Sequence, residues 1–136
     1  MTDPTPVPAF DHDAVALALR IGGIIDITTT GRQSGEPRRI EIVFFYLDGR
    51  VWISGMPGRR GWTANLGDDP RLTFHLKNGP IADLPAHAVL IEDEPTRRSI
   101  MARVTKRWNR EAQLEAFVAG SPLIEVIFDD PTLLAG

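Results

Sequence analysis

The chain has 136 residues, 43% of them apolar and 24% charged, with no cysteine and a formal charge of −3. This fits one ordinary globular domain, able to bury about two thirds of the surface its unfolded chain exposes. The missing cysteines exclude a disulfide framework, a thiolate zinc site, an iron–sulfur cluster and a cysteine nucleophile, and the net negative charge argues against nucleic acid as a partner.

Residues 1–10 (MTDPTPVPAF) hold three prolines and read as an N-terminal arm, with residues 11–136 as the single domain. Asp11 or Asp13 suits the cap of a helix running to Arg20, which Gly22-Gly23 ends. Ile24 to Thr30 is β-branched almost throughout and predicts a strand; Gly31 to Gly35 is a turn, and Pro37 to Leu47 a second strand. Asp48-Gly49 is a two-residue hairpin signal, with Val51 to Ser54 returning. A short helix from about Arg59 to Leu66 places Trp62 and Leu66 on one face. Over 71–77 the alternation is clean, with Leu72, Phe74 and Leu76 on one face and Arg71, Thr73, His75 and Lys77 on the other. Asn78-Gly79 turns the chain into a strand from Ile81 to Ile91. Helices at about 95–108 and 111–118 and a last strand from Leu123 to Phe128 follow. About six strands with flanking helices imply a mainly β (α+β) fold, a barrel or sandwich rather than alternating βαβ units.

No apolar run approaches the roughly 20 residues that cross a bilayer, and the N-terminus lacks a basic start and an apolar segment after it. The expectation is a cytoplasmic protein without stable membrane insertion. Signatures of nucleophilic hydrolases, Walker loops and zinc proteases are missing, and His12, His75 and His87 are too scattered for a metal motif. Asp11-His12-Asp13 reads as solvated surface, so no metal is expected. His75, on the polar face of its strand, points to a surface or interface role rather than catalysis.

The arginines carry more information. Six of the thirteen lie between positions 32 and 60, where only Glu36, Glu41 and Asp48 oppose them, so this stretch is +3 and the remainder −6. Arginine suits bidentate contacts to phosphate or carboxylate. Two loops combine glycine, arginine and a hydroxyl: Gly31-Arg32-Gln33-Ser34-Gly35 and Ser54-Gly55-Met56-Pro57-Gly58-Arg59-Arg60-Gly61. Glycine lets backbone approach a ligand closely, and the start of a helix at 59 would favour an anion. Between the loops runs a hairpin with Phe44, Phe45, Tyr46 and Trp52. One reading is a flavin-type nucleotide, its ring on the hairpin and its phosphate in the loops. The other is a barrel core flanked by two ordinary turns, and the pattern leaves both open.

The stretch Thr28-Thr29-Thr30-Gly31-Arg32-Gln33-Ser34-Gly35-Glu36-Pro37-Arg38-Arg39 resembles the TTTGRKSG-x-PR signature of the deazaflavin-dependent nitroreductase family. Asp48-Gly49-Arg50, Ser54-Gly55, Pro57 to Trp62, Ala64-Asn65-Leu66 and Asp69-Pro70-Arg71 are similar to its later blocks, and the match spans roughly residues 24–91. The resemblance implies a split β-barrel of the pyridoxamine-phosphate oxidase type. It also implies coenzyme F420, an 8-hydroxy-5-deazaflavin, as hydride carrier, with FMN on the same fold as the alternative. Carried over residue by residue, it places Arg32, Ser34, Arg38 and Arg39 in one cofactor-binding block. Ser54, Gly55, Met56, Gly58, Arg59, Arg60 and Asn65 fall in the other.

The implied reaction reduces a small electron-poor molecule such as a quinone, enone or nitro compound. A non-catalytic carrier of flavin or haem is the reading from another class. Two departures stand out. Family members usually have Lys at Gln33, and the tyrosines that surround substrate in quinone- and nitro-reducing members are missing, since Tyr46 is the only tyrosine. The remaining sheet surface predicts a homodimer with the ligand site near the interface.

Overall fold

A computed structural model describes residues 10–135; the arm expected at 1–10 lies, except for Phe10, outside the described residues. Helix α1 (His12–Ile21) is capped by Asp11, whose carboxylate accepts from the N–H groups of Asp13 and Ala14. Strands β1 (Gly23–Thr30), β2 (Pro37–Leu47) and β3 (Arg50–Ser54) follow, then helix α2 (Gly61–Asp68). Strands β4 (Arg71–Leu76) and β5 (Ala82–Leu90) precede helix α3 (Glu94–Arg107). A 3-10 turn at Glu111–Gln113 opens the expected second helix, so that α4 is Leu114–Gly120; β6 (Leu123–Phe128) ends the sheet. A 3-10 turn at Pro131–Leu134, which the sequence reading did not anticipate, closes the described chain.

The six strands close into an antiparallel barrel in the order β1-β2-β3-β6-β5-β4. Local sequence explains the hairpins. Asp48 and Gly49 both have positive φ (57° and 74°), the geometry that lets two residues reverse a right-twisted ribbon. Alternation then decides the faces. From β1, β4 and β5, Ile25, Ile27, Leu72, Phe74 and Leu84 point inward, and Phe74 meets Phe44 and Phe128 edge-on at 5.1 and 5.2 Å.

The neighbouring residues Phe45 and Trp52 point outward into a second core beneath α3 and α4, among Ile100, Met101, Val104 and Phe117. The aromatic hairpin is therefore a wall between two cores. Three of its four aromatics offer no surface to a ligand ring: Phe44, Phe45 and Trp52 are at most 3% exposed. Of the two readings the sequence left open for these rings, the barrel core is the one they serve.

Arg97, on α3, is spent inside the fold. Its guanidinium donates to the carbonyls of Ile91, Phe117, Val118 and Ser121, fastening α3 to the end of α4 and to the chain beyond it. Among the described residues no helix is long and apolar enough to cross a membrane.

Candidate functional site

The 31–35 loop is rigid for reasons that can be read atom by atom. The Gly31 N–H donates to the Glu36 carbonyl and the Gly35 N–H to the Gly31 carbonyl, both at 2.8 Å. The Glu36 N–H donates to Ser34 Oγ at 3.1 Å. A Cβ on Gly31 would lie 2.6 Å from Ser34 Oγ and 3.2 Å from the Glu36 carbonyl, so only glycine fits without a shift. Asn65 clamps the loop from α2: its Oδ1 accepts from the Arg32 N–H and its Nδ2 donates to Thr29 Oγ1, each at 3.1 Å.

Gly31, Arg32, Gln33, Ser34, Arg38 and Asn65 together line a pocket of about 230 Å³. Gln33 lines it too, at the position where the family usually has a lysine. Neither Arg32 nor Arg38 has a carboxylate partner among the described residues.

The second loop is braced differently. Arg60 folds back, donating to the carbonyls of Met56 and Arg59 at 2.9 and 3.1 Å. Gly58, at φ 132°, donates its N–H to the Gly120 carbonyl at 3.0 Å. Helix α2 starts at Gly61, two residues later than the sequence suggests, which leaves Arg59 before the helix and Arg60 at its N-cap. Gly55 packs between Pro122 and the Arg60 guanidinium, and Met56 sits apart with Trp108 and Arg110.

Two expected residues lie elsewhere. The Ser54 hydroxyl is fully buried and donates to the Pro122 carbonyl at 2.7 Å. Arg39 points to the other side of β2 from Arg38 and pairs with Asp26 at 3.0 Å.

On the far side of the 31–35 loop, the outer face of β1, β4 and β5 forms a groove of about 730 Å³, lined by Thr28, Thr30, Gly35, Arg71, Thr73 and His87 among others. Sequence reasoning missed it. The available signal was three threonines on the polar faces of two strands, next to the glycine loop. His75 lies on that face, as the alternation predicts, yet is only 7% exposed. Its Nε2 is 2.7 Å from Thr28 Oγ1 and its Nδ1 2.7 Å from Asp83 Oδ1.

Beside it Lys77 bridges Asp26 and Glu41. Its ammonium, with the Arg39 guanidinium, holds the Asp26 carboxyl below the usual carboxylate range. At the groove's rim, hydrogen bonds from Arg71 hold the Asp69 carboxyl down to about 2. Among the described residues no group of three or more His, Asp or Glu side chains is placed to hold a metal ion.

A family model described as F420H(2)-dependent quinone reductase matches residues 11–116. The chain belongs to that family. The match takes in both glycine loops, α2 and the groove strands. No curated protein matches the sequence. Among solved structures, a candidate pyridoxamine 5′-phosphate oxidase from Listeria innocua superposes with a TM-score of 0.66 at 15% identity, over 88% of this chain and 94% of that one. A candidate 5-nitroimidazole antibiotic resistance protein from Bacteroides thetaiotaomicron gives 0.67 at 12%, over 96% and 92%. A heme storage protein from Vibrio cholerae gives 0.61 at 11%, over 87% of each chain. At these identities the likeness is one of fold, and the fold is the split barrel of the pyridoxamine-phosphate oxidase type.

Proposed function

We propose that the protein is an oxidoreductase that uses reduced coenzyme F420 to reduce a small electron-poor molecule such as a quinone, enone or nitro compound. The observation that carries this reading is a pair of guanidiniums, Arg32 and Arg38, left without carboxylate partners around a glycine cradle that a Cβ would fill. A charge-assisted donor set of this kind suits a phosphate, and a groove directly beside it, with threonine hydroxyls in its wall, suits a planar ring. Arg59 and Arg60, just before α2, add positive charge on the N-terminal side of the Asn65 clamp.

When bound, the deazaflavin supplies the hydride. The chain's part is to hold its phosphate, orient its ring against the outer face of β1 and β4, and exclude water from the reacting atoms. Ser54 and Asn65 serve this reading by shaping the two loops. A second copy covering the β1–β4–β5 face would close the groove, so a homodimer belongs to the same reading.

The heme storage protein on the same fold keeps a non-catalytic carrier as the second reading. Fluorescence titration with coenzyme F420 and with FMN tests the first. Coenzyme F420 should bind at least about ten-fold tighter, a difference of about 1.4 kcal/mol. Its reduced form should also be oxidised when a quinone is added. Equal affinity for FMN, or binding without turnover, would reject the assignment.

A further inference from the structure

Thr28, His75 and Asp83 stand on three adjacent strands with their side chains on the same outer face, joined by two hydrogen bonds of 2.7 Å. Thr28 is the member that reaches the groove. Asp83 is the member that reaches solvent, with 72% of its side chain exposed, whereas the His75 side chain is 8% exposed. A nearly buried imidazole thus links an open carboxylate to a groove-facing hydroxyl. The three strands are also paired through their backbones.

We propose that Thr28 is the proton donor to whatever is reduced in the groove, resupplied by His75, whose ring and charge Asp83 holds in place; this rests on the reductase reading above. The physical basis lies in the two states of the ring. An ionised carboxylate can only accept, so Asp83 fixes the proton of His75 on Nδ1. In the neutral ring Nε2 then accepts from the Thr28 hydroxyl, and the oxygen's lone pairs face the groove. In the protonated ring Nε2–H donates to Thr28 Oγ1, and the hydroxyl proton turns to the groove. The same three residues thus present an acceptor or a donor according to one proton.

The step balances. The acceptor gains a hydride and its two electrons from the reduced deazaflavin, which is oxidised, and negative charge gathers on the acceptor's oxygen. A new O–H bond forms with the Thr28 proton as the His75 Nε2–H proton passes to Thr28 Oγ1. Threonine remains a hydroxyl and the imidazolium becomes neutral with its proton on Nδ1; the vacant Nε2 is reprotonated through the Thr28 hydroxyl from water in the groove once the product has left. The charged groups around the ring are Asp26 from β1, Asp83 from β5 and Lys77 on its own strand, with Arg39 and Glu41 reaching Asp26 and Lys77 from β2. In this scheme Thr28 is the catalytic residue, and His75 and Asp83 are positioning residues.

Three variants test it: Thr28→Val, Thr28→Ser and Asp83→Asn. Thr28→Val should bind oxidised coenzyme F420 within about two-fold of the parent yet turn over a quinone at least about ten-fold more slowly, the low end for loss of a general acid. Thr28→Ser should restore the rate. Asp83→Asn should lower kcat while leaving KM nearly unchanged.

A readout independent of turnover is nitrogen NMR of the three histidine rings during titration with oxidised coenzyme F420. The His75 signals should move in the parent and in Thr28→Ser but not in Thr28→Val. Unchanged kcat in Thr28→Val overturns the relay alone. So do static His75 signals while the Gln33 and Ser34 amides shift. If neither set of signals moves in the parent, no cofactor binds, and the reductase reading falls together with the relay.

Discussion

The arginines of residues 32–60 and those of α3 are one residue type put to two uses. On α3, Arg98 pairs with Glu94 and Glu115, Arg103 with Asp48, and Arg97 spends its guanidinium on four carbonyls. Around the 31–35 loop, Arg32 and Arg38 meet no carboxylate among the described residues, although Glu36 lies within the same stretch of chain. A guanidinium that fastens the fold has its charge answered inside the molecule. One left open beside a glycine cradle has a charge for something else to answer. The contrast makes the candidate site visible without any ligand.

The largest effect expected from breaking this contrast is on the fastener side. Arg97→Ala would leave four partly buried carbonyls without their charged donor, so stability should fall by about 2–4 kcal/mol, read by urea denaturation. Affinity for coenzyme F420 should stay unchanged under conditions where the variant is folded.

A smaller effect is expected at the cradle. Gly31→Ala must move Ser34 or the Glu36 carbonyl, costing about 1–2 kcal/mol of overpacking, and should weaken cofactor binding through the displaced loop. Unchanged binding would show that the loop geometry does not matter to the ligand.

The smallest effect is the acid response of an exposed pair. Hydrogen bonds from Arg71 depress the folded-state pKa of Asp69 from 3.8 to about 2, so its contribution is present above about pH 4 and is lost as pH falls through 2. Asp26, Asp48 and Glu115 are shifted the same way by their basic partners. Asp69→Asn should therefore flatten the decline in stability between pH 4 and pH 2, in proportion to one of several such groups. An unaltered slope would mean that the Asp69–Arg71 pair is broken in solution.

Much of this molecule was legible in its residues. The β-branched run before Thr30, the Asp48-Gly49 turn and the alternation over 71–77 give local signals strong enough to place strands almost to the residue, and Trp62 and Leu66 are buried one turn apart on α2 as their spacing suggests. What periodicity cannot say is which face of a strand another element will cover. Phe44 and Phe45 alternate, but both faces of β2 are buried there, one by the barrel and one by α3 and α4, so aromatics whose pattern suited either a ligand surface or a core belong to two cores.

For the same reason His75 is buried on a polar face. Strand pairing brings Thr28 and Asp83 to it from positions 47 residues before and 8 after. The two candidate loops stand out in the sequence because glycine and arginine leave a local signature. The groove was not, because it exists only once β1, β4 and β5 lie side by side.

The central claim is that the arginines left unpaired, and not arginine in general, hold the cofactor. The most direct test is one fluorescence titration with coenzyme F420 at fixed salt, comparing the parent with Arg38→Ala, Arg59→Ala and Arg103→Ala. Arg38→Ala and Arg59→Ala should each weaken binding by about ten- to a hundred-fold, the value of one charge-assisted contact. Arg103→Ala, which breaks only the pair with Asp48, should leave it unchanged. Equal losses for Arg59→Ala and Arg103→Ala, or no loss in any variant, would contradict the account.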